Sequence, residues 1–123
     1  MAIRAGALVD VADMVSTDWV PVDLALGISS LSGYTLSVAR SGLMICLRGR
    51  ITGLTEDTNN VITDDPLPEL FRPGITIQDL PMPTNSASGT LANVRAWVTD
   101  TGVLSMRPDS GSTVWVNTFW FGN

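Results

Sequence analysis

The chain contains no histidine, no lysine and a single cysteine; its seven basic residues are all arginine (Arg4, Arg40, Arg48, Arg50, Arg72, Arg95 and Arg107). Without histidine, neither a Ser-His-Asp or Cys-His nucleophile system nor the usual zinc site can be assembled within one chain. Without lysine, a Walker phosphate loop and a Schiff base are excluded too. Cys46 has no partner for an internal disulfide and reads as a small core residue. Charge is also scarce: 15% of residues are charged, and twelve Asp and Glu against seven Arg leave a net charge of −5. That balance argues against phosphate backbones and anionic membrane surfaces, so no nucleic acid and no membrane insertion are expected. No run approaches the roughly 18 apolar residues of a membrane span. The first residues also lack the basic-then-apolar order of a secretion signal. No cofactor or resident metal is expected.

What the chain does have is apolar residues in short alternating runs. Its 123 residues, 45% of them hydrophobic, suffice for one domain with a core of its own. From Asp18 onward the runs have period 2 and are broken every 8 to 12 residues by Gly, Ser, Asn, Asp or Pro, which predicts an all-β antiparallel sandwich, residues 18–123. Val20, Val22, Leu24 and Leu26 share one face of a first strand over Trp19 to Leu26. Tyr34, Leu36 and Val38 form the core face of the next, and Arg40-Ser41-Gly42 turns it into Leu43, Ile45, Leu47, Gly49 and Ile51. Thr52 to Pro73 reads mostly as loop. Ile75 to Leu80 resumes as a strand whose end, at Pro81 and Pro83, must lie at an edge or leave the sheet. Leu91 to Thr99, with Ala92, Val94, Ala96 and Val98 on one side, turns at Asp100-Thr101-Gly102 into Val103 to Arg107 as a second hairpin. The last strand puts Trp115, Phe119 and Phe121 on one face and Val114, Val116 and Trp120 on the other, so both faces call for burial. Before the sandwich, residues 1–17 form a short arm. Leu8, Val11, Ala12 and Val15 have the spacing of one or two amphipathic helical turns that need a partner surface.

Two acidic groupings invite a chemical reading. Asp64 and Asp65, with Glu56 and Asp57 upstream, offer the paired carboxylates that glycoside hydrolysis needs. Glu56, Asp57, Asn59 and Asn60 offer oxygen ligands for calcium, though not in an EF-hand pattern. Both sets are flanked by Thr, Asn and Pro and read first as solvated turn residues, and no catalytic residue is expected. The aromatic residues carry more information. Trp19, Trp97 and Trp115 share strand faces with polar residues, and Met44 and Cys46 lie opposite the Leu43, Ile45, Leu47 face. The side away from the core therefore carries more apolar surface than a monomer leaves wet. A subunit interface built on Trp19, Met44, Trp97, Trp115, Phe119 and Phe121, a second sandwich core, or an open glycan site would each account for it.

The order of landmarks adds a resemblance. Trp19-Val20-Pro21-Val22 is followed by the Tyr34 to Arg40 strand, then Leu47-Arg48-Gly49-Arg50-Ile51-Thr52-Gly53, Leu67-Pro68-Glu69-Leu70-Phe71-Arg72-Pro73, Pro81-Met82-Pro83, the Val94 to Leu104 hairpin and the aromatic end Trp115 to Phe121. Over residues 18–121 this resembles the small β-sandwich, jelly-roll-like modules of tailed-bacteriophage virion proteins: minor tail proteins, tail-fibre tips, head fibres and capsid decoration proteins. The resemblance implies a non-enzymatic component of the virion surface, commonly a homotrimer. A short arm in place of a longer particle-binding part favours a decoration or head-fibre protein, with Ile3, Leu8, Val11, Met14 and Val15 docking on a capsid or tail protein. The alternative is a receptor-binding adhesin that contacts host surface glycan through Trp19, Trp97, Asn85 and Ser86.

Overall fold

The computed structural model describes residues 15–83, 85–87 and 90–122, with 85–87 and 90–92 as backbone alone. The architecture is all-β, antiparallel and sandwich-like, as the alternation predicts. The strands are β1 (Val20–Pro21), β2 (Ser29–Ser30), β3 (Ser37–Ser41), β4 (Met44–Thr52), β5 (Asn60–Val61), β6 (Asn85–Ala87), β7 (Thr90–Ala92), β8 (Val94–Val98), β9 (Leu104–Pro108) and β10 (Val114–Phe121). One sheet runs β1-β3-β4-β10, with β2 also paired to β4; a second runs β5-β9-β8; β6 and β7 form a separate hairpin.

Period 2 decides what is buried. β10 alternates without a break, Val114, Val116, Thr118 and Trp120 inward and Trp115, Asn117, Phe119 and Phe121 outward. Opposite it, β4 sends Ile45, Leu47 and Ile51 into the same core. The second sheet contributes Val94, Ala96, Val98, Leu104 and Met106. Both expected hairpins form, β3 with β4 and β8 with β9.

Three stretches depart from the sequence-based expectation. The run from Trp19 to Leu26 is not one strand. Val20 and Pro21 pair with β3, but the chain then changes partner: Asp64 donates its amide to Asp23 O (2.9 Å) and Ala25 donates to Ile62 O (2.8 Å). Val22 is buried, whereas Val20 and Leu26 are exposed, because the segment crosses between the sheets instead of lying in one. Ile75 to Leu80 forms only a short pairing beside β8, in which Ile77 and Val98 exchange both backbone bonds (2.9 and 3.1 Å) before Pro81 ends it. Within the arm, Ile3, Leu8, Val11 and Met14 lie outside the described residues. Val15 to Thr17 are extended: Gly42 donates to Val15 O (2.7 Å) and Thr17 donates to Arg40 O (2.9 Å), which adds the end of the arm to the β3–β4 hairpin.

The segment around Leu67 to Pro73 is a strap, not a loose loop. A single 3-10 turn, Glu69–Phe71, buries Phe71. Trp120 Nε1 donates to Phe71 O (2.9 Å), and Arg40, itself buried, donates from Nη1 to Leu70 O (2.8 Å) and from Nε to Gly42 O (2.7 Å). Arg72 Nε closes the strap on Leu67 O (2.7 Å). Trp120→Ala is expected to cost about 3–5 kcal/mol through lost packing. Trp120→Phe, which keeps a ring but withdraws the N–H from Phe71, is expected to cost about 1–3 kcal/mol. Urea denaturation of the two variants measures both; equal stability of wild type and Trp120→Phe would show that the indole bond contributes nothing.

Candidate functional site

The outward face of β4 and β10 is the most distinctive surface of the molecule. Its facing pairs are Arg50 with Trp115, Arg48 with Asn117, Cys46 with Phe119, and Met44 with Phe121. Read along the strands, the face divides into two halves of different chemistry.

The first half is a groove of about 690 Å³ between β1, β3, β4 and β10, within the size range of small-ligand sites. Trp19 and Trp115 stand at its sides, 39% and 38% exposed, and Tyr34 is 46% exposed. The Arg48 guanidinium lies 3.9 Å from the centre of the Trp19 ring, and the Arg50 guanidinium 4.6 Å from that of Trp115. Such cation–π contacts fix the cation without neutralising it. Tyr34 meets Trp115 edge to face, with centroids 4.9 Å apart and planes at 78°. The ion pairs among the described residues are elsewhere, Arg95 with Asp79 (3.4 Å) and Arg107 with Asp57 (2.8 Å). Arg50 Nε is buried with no hydrogen-bond acceptor among the described residues. The residues lining the groove include no carboxylate; its polar lining is Thr35, Ser37 and Asn117.

Gly49 explains why a groove opens there. The β3–β4 ladder ends at Ser37 with Arg48, and Arg50 then donates its amide to Tyr34 O (2.9 Å), so Thr35 and Leu36 leave the ladder opposite Gly49. A Cβ on Gly49 would lie 2.5 Å from Leu36 Cα, and its φ of +152° suits glycine alone. Gly49→Ala is expected to force the β3 and β4 backbones apart and lower the thermal midpoint by several degrees, with loss of the Trp115 near-ultraviolet signal; an unchanged melting curve would contradict this close approach.

The second half is apolar. Met44, Phe119 and Phe121 are exposed, the two rings packed edge to face 6.0 Å apart, with Leu43 exposed nearby and Cys46 half-buried between the strands. Five of the six residues expected at an interface thus belong to the first sheet and its β1 margin. Trp97 does not join them: it lies half-buried on β8 in the second sheet, paired with Ser105. Asn85 and Ser86 lie in β6, where only the backbone is described. Tyr34, Arg48 and Arg50 were missed as site residues. The signal was present in the alternation of β4, which places both arginines on the face of Met44 and Cys46.

The acidic residues separate. Those of the Glu56 to Asn60 loop hold the loop itself: Asp57 pairs with Arg107, Glu56 Oε2 accepts from Gly111 N (3.2 Å), and Asn60 bonds to Thr55, Thr58 and Met106. Asp64 and Asp65 instead meet Asp23, which the sequence did not connect with them. The three exposed carboxylates lie within 4.8 Å of one another and form the grouping among the described residues with the spacing to hold a cation. Sharing a proton with Asp65, and to a lesser degree desolvation and the negative charges of Asp65 and Asp64, raises the Asp23 pKa above its ordinary 3.8. Between that value and the raised one the folded chain holds more proton than the unfolded chain, so this group's contribution to stability falls as pH rises through the window. Asp65→Asn is expected to return the Asp23 titration toward the ordinary value, read by carboxyl-carbon NMR; an unmoved titration would remove Asp65 as the cause.

The fold is all-β and sandwich-like, and its outer sheet face gathers exposed aromatic side chains with two arginines. No protein family, curated protein or solved structure matches the chain.

Proposed function

We propose that the protein is a non-enzymatic structural component of a tailed-bacteriophage virion, a capsid decoration or head-fibre protein that self-associates through the apolar half of its outer sheet face. The observation that carries self-association is the strip of Met44, Phe119 and Phe121, exposed side by side on the outward face of β4 and β10. A contiguous apolar strip of this kind is what a chain buries against a neighbour. The virion assignment rests on the order of sequence landmarks, from the Trp19 segment through the Leu67 to Pro73 strap to the aromatic last strand. Three copies are the stoichiometry it implies, with residues 1–14 as the attachment element. Placing that element before Val15 leaves the extended pairing of Val15 to Thr17 as part of the domain.

Light scattering on the intact chain is expected to give three times the 13.1 kDa protomer mass. Phe119→Ser with Phe121→Ser, at two outward positions, is expected to yield a folded monomer. Deletion of residues 1–14 is expected to leave the oligomer intact and abolish its presence on purified particles. A wild-type chain that is monomeric at tens of micromolar would reject the interface, and retention of the truncated chain on particles would reject the arm.

A further inference from the structure

The groove half of the same face calls for a different occupant, one that does not depend on self-association. We infer that the groove between Trp19 and Trp115 binds an anionic saccharide, a chain of sugar rings bearing carboxylates. The first ground is charge. In a chain with a net charge of −5, this groove is lined by Arg48, Arg50 lies over the ring of the lining residue Trp115, and neither arginine forms an ion pair among the described residues. Uncompensated guanidinium groups in an acidic protein favour an anion, and the planar fork of arginine matches a carboxylate.

The second ground is the rest of the lining. The groove offers three partly exposed aromatic side chains with hydroxyl and amide groups from Thr35, Ser37 and Asn117, and its only aliphatic lining residue is Val116, which is buried. A peptide ligand would need an apolar pocket for an anchoring side chain. A sugar needs what is present, namely amphipathic rings against its C–H faces and small polar groups for its hydroxyls. The third ground is rigidity. The arginines are held over the indoles at 3.9 and 4.6 Å, so less side-chain freedom is lost when an anion arrives.

The test uses the full chain and an oligogalacturonate as probe, with a neutral oligosaccharide of the same length and an oligoglutamate as comparisons, followed by calorimetry and tryptophan fluorescence. Oligogalacturonate is expected to bind, to weaken as salt rises, and to exceed the neutral oligosaccharide by at least about tenfold in affinity. Arg48→Gln, a change of an exposed side chain, is expected to reduce that preference while the circular dichroism spectrum stays unchanged. Trp19→Ala is expected to weaken both sugars. The Phe119→Ser, Phe121→Ser double variant is expected to bind as wild type does, which separates this inference from the oligomer. Absence of uronate binding at millimolar concentration, equal affinity for the neutral sugar, oligoglutamate binding as tight as the uronate, or indifference to Arg48→Gln would each overturn it.

Discussion

Two hydrogen bonds to consecutive carbonyls, one from each side of Ile45 on β4, hold one end of the first sheet to the strap that closes the sandwich. Arg40, at the end of β3, donates to Leu70 O, and Trp120, near the end of β10, donates to Phe71 O. β3 and β10 flank β4 from opposite sides, so a single 3-10 turn is gripped by both of its neighbours. The geometry requires the turn: three residues of 3-10 helix direct adjacent carbonyls toward one side, and burial of Phe71 fixes the height at which they meet the sheet. An indole and a guanidinium buried this deeply are stabilising only because their donors are satisfied. The Leu-Pro-x-x-Phe-Arg-Pro pattern is thus accounted for by packing, with Arg72 turned back onto Leu67 and Pro73 bridged to Gly122.

Anchoring the inner side of β10 in this way determines what its outer side presents. Trp120 and Val116 point inward, so Phe119, Phe121 and Trp115 point outward by strict alternation. Their partners on β4 then decide the chemistry of each half. Met44 and Cys46 extend the phenylalanines into an apolar strip, whereas Arg48 and Arg50 lie over the indoles and Arg48 lines the groove. One sheet face thereby carries two surfaces with different preferences, and the register of a single strand pair separates them.

The sequence made the interior more legible than the exterior. Alternation in β4 and β8 identified core residues, although Leu43, read onto the core face, is exposed; in β10 it separated two apolar faces without deciding which turns inward; glycine or aspartate at the turns marked the two hairpins. Legibility failed where tertiary pairing outweighed local pattern. Val20, Val22, Leu24 and Leu26 alternate as a strand should, yet the chain moves from β3 to Ile62 and Asp64 partway along, and no local periodicity records a change of partner. Tyr34 reads as a core residue with Leu36 and Val38, but the break in the ladder opposite Gly49 sends it outward to Trp115. Asp23 lies forty-one and forty-two residues from Asp64 and Asp65, so their meeting was not readable from spacing; it follows from the same crossing segment. On the outward face of β4 and β10, Trp115, Phe119 and Phe121 were recognisable as one group from alternation alone, although Trp97, read with them, lies in the second sheet. The arginines needed the pairing register, because a cation opposite an indole is a statement about two strands.

The charge distribution joins the two surfaces into one physical picture. Copies of a chain with net charge −5 repel one another at long range, and an apolar strip acts only after that repulsion is screened or locally offset. Arg48, one outward position along β4 from the Cys46 and Phe119 pair, places positive charge at the border of the strip, while the carboxylates of Asp23, Asp64 and Asp65 cluster at the crossing segment. A neighbour approaching this face meets less repulsion than it would at the acidic triad. Holding the arginines over indoles, with no ion pair to a carboxylate among the described residues, keeps that local field available. A carboxylate partner within the groove would have stabilised each arginine and cancelled the field at the same place. The cation–π arrangement therefore has a consequence that an ion pair at these positions lacks: the guanidinium groups keep their charge and donors that no carboxylate among the described residues has claimed.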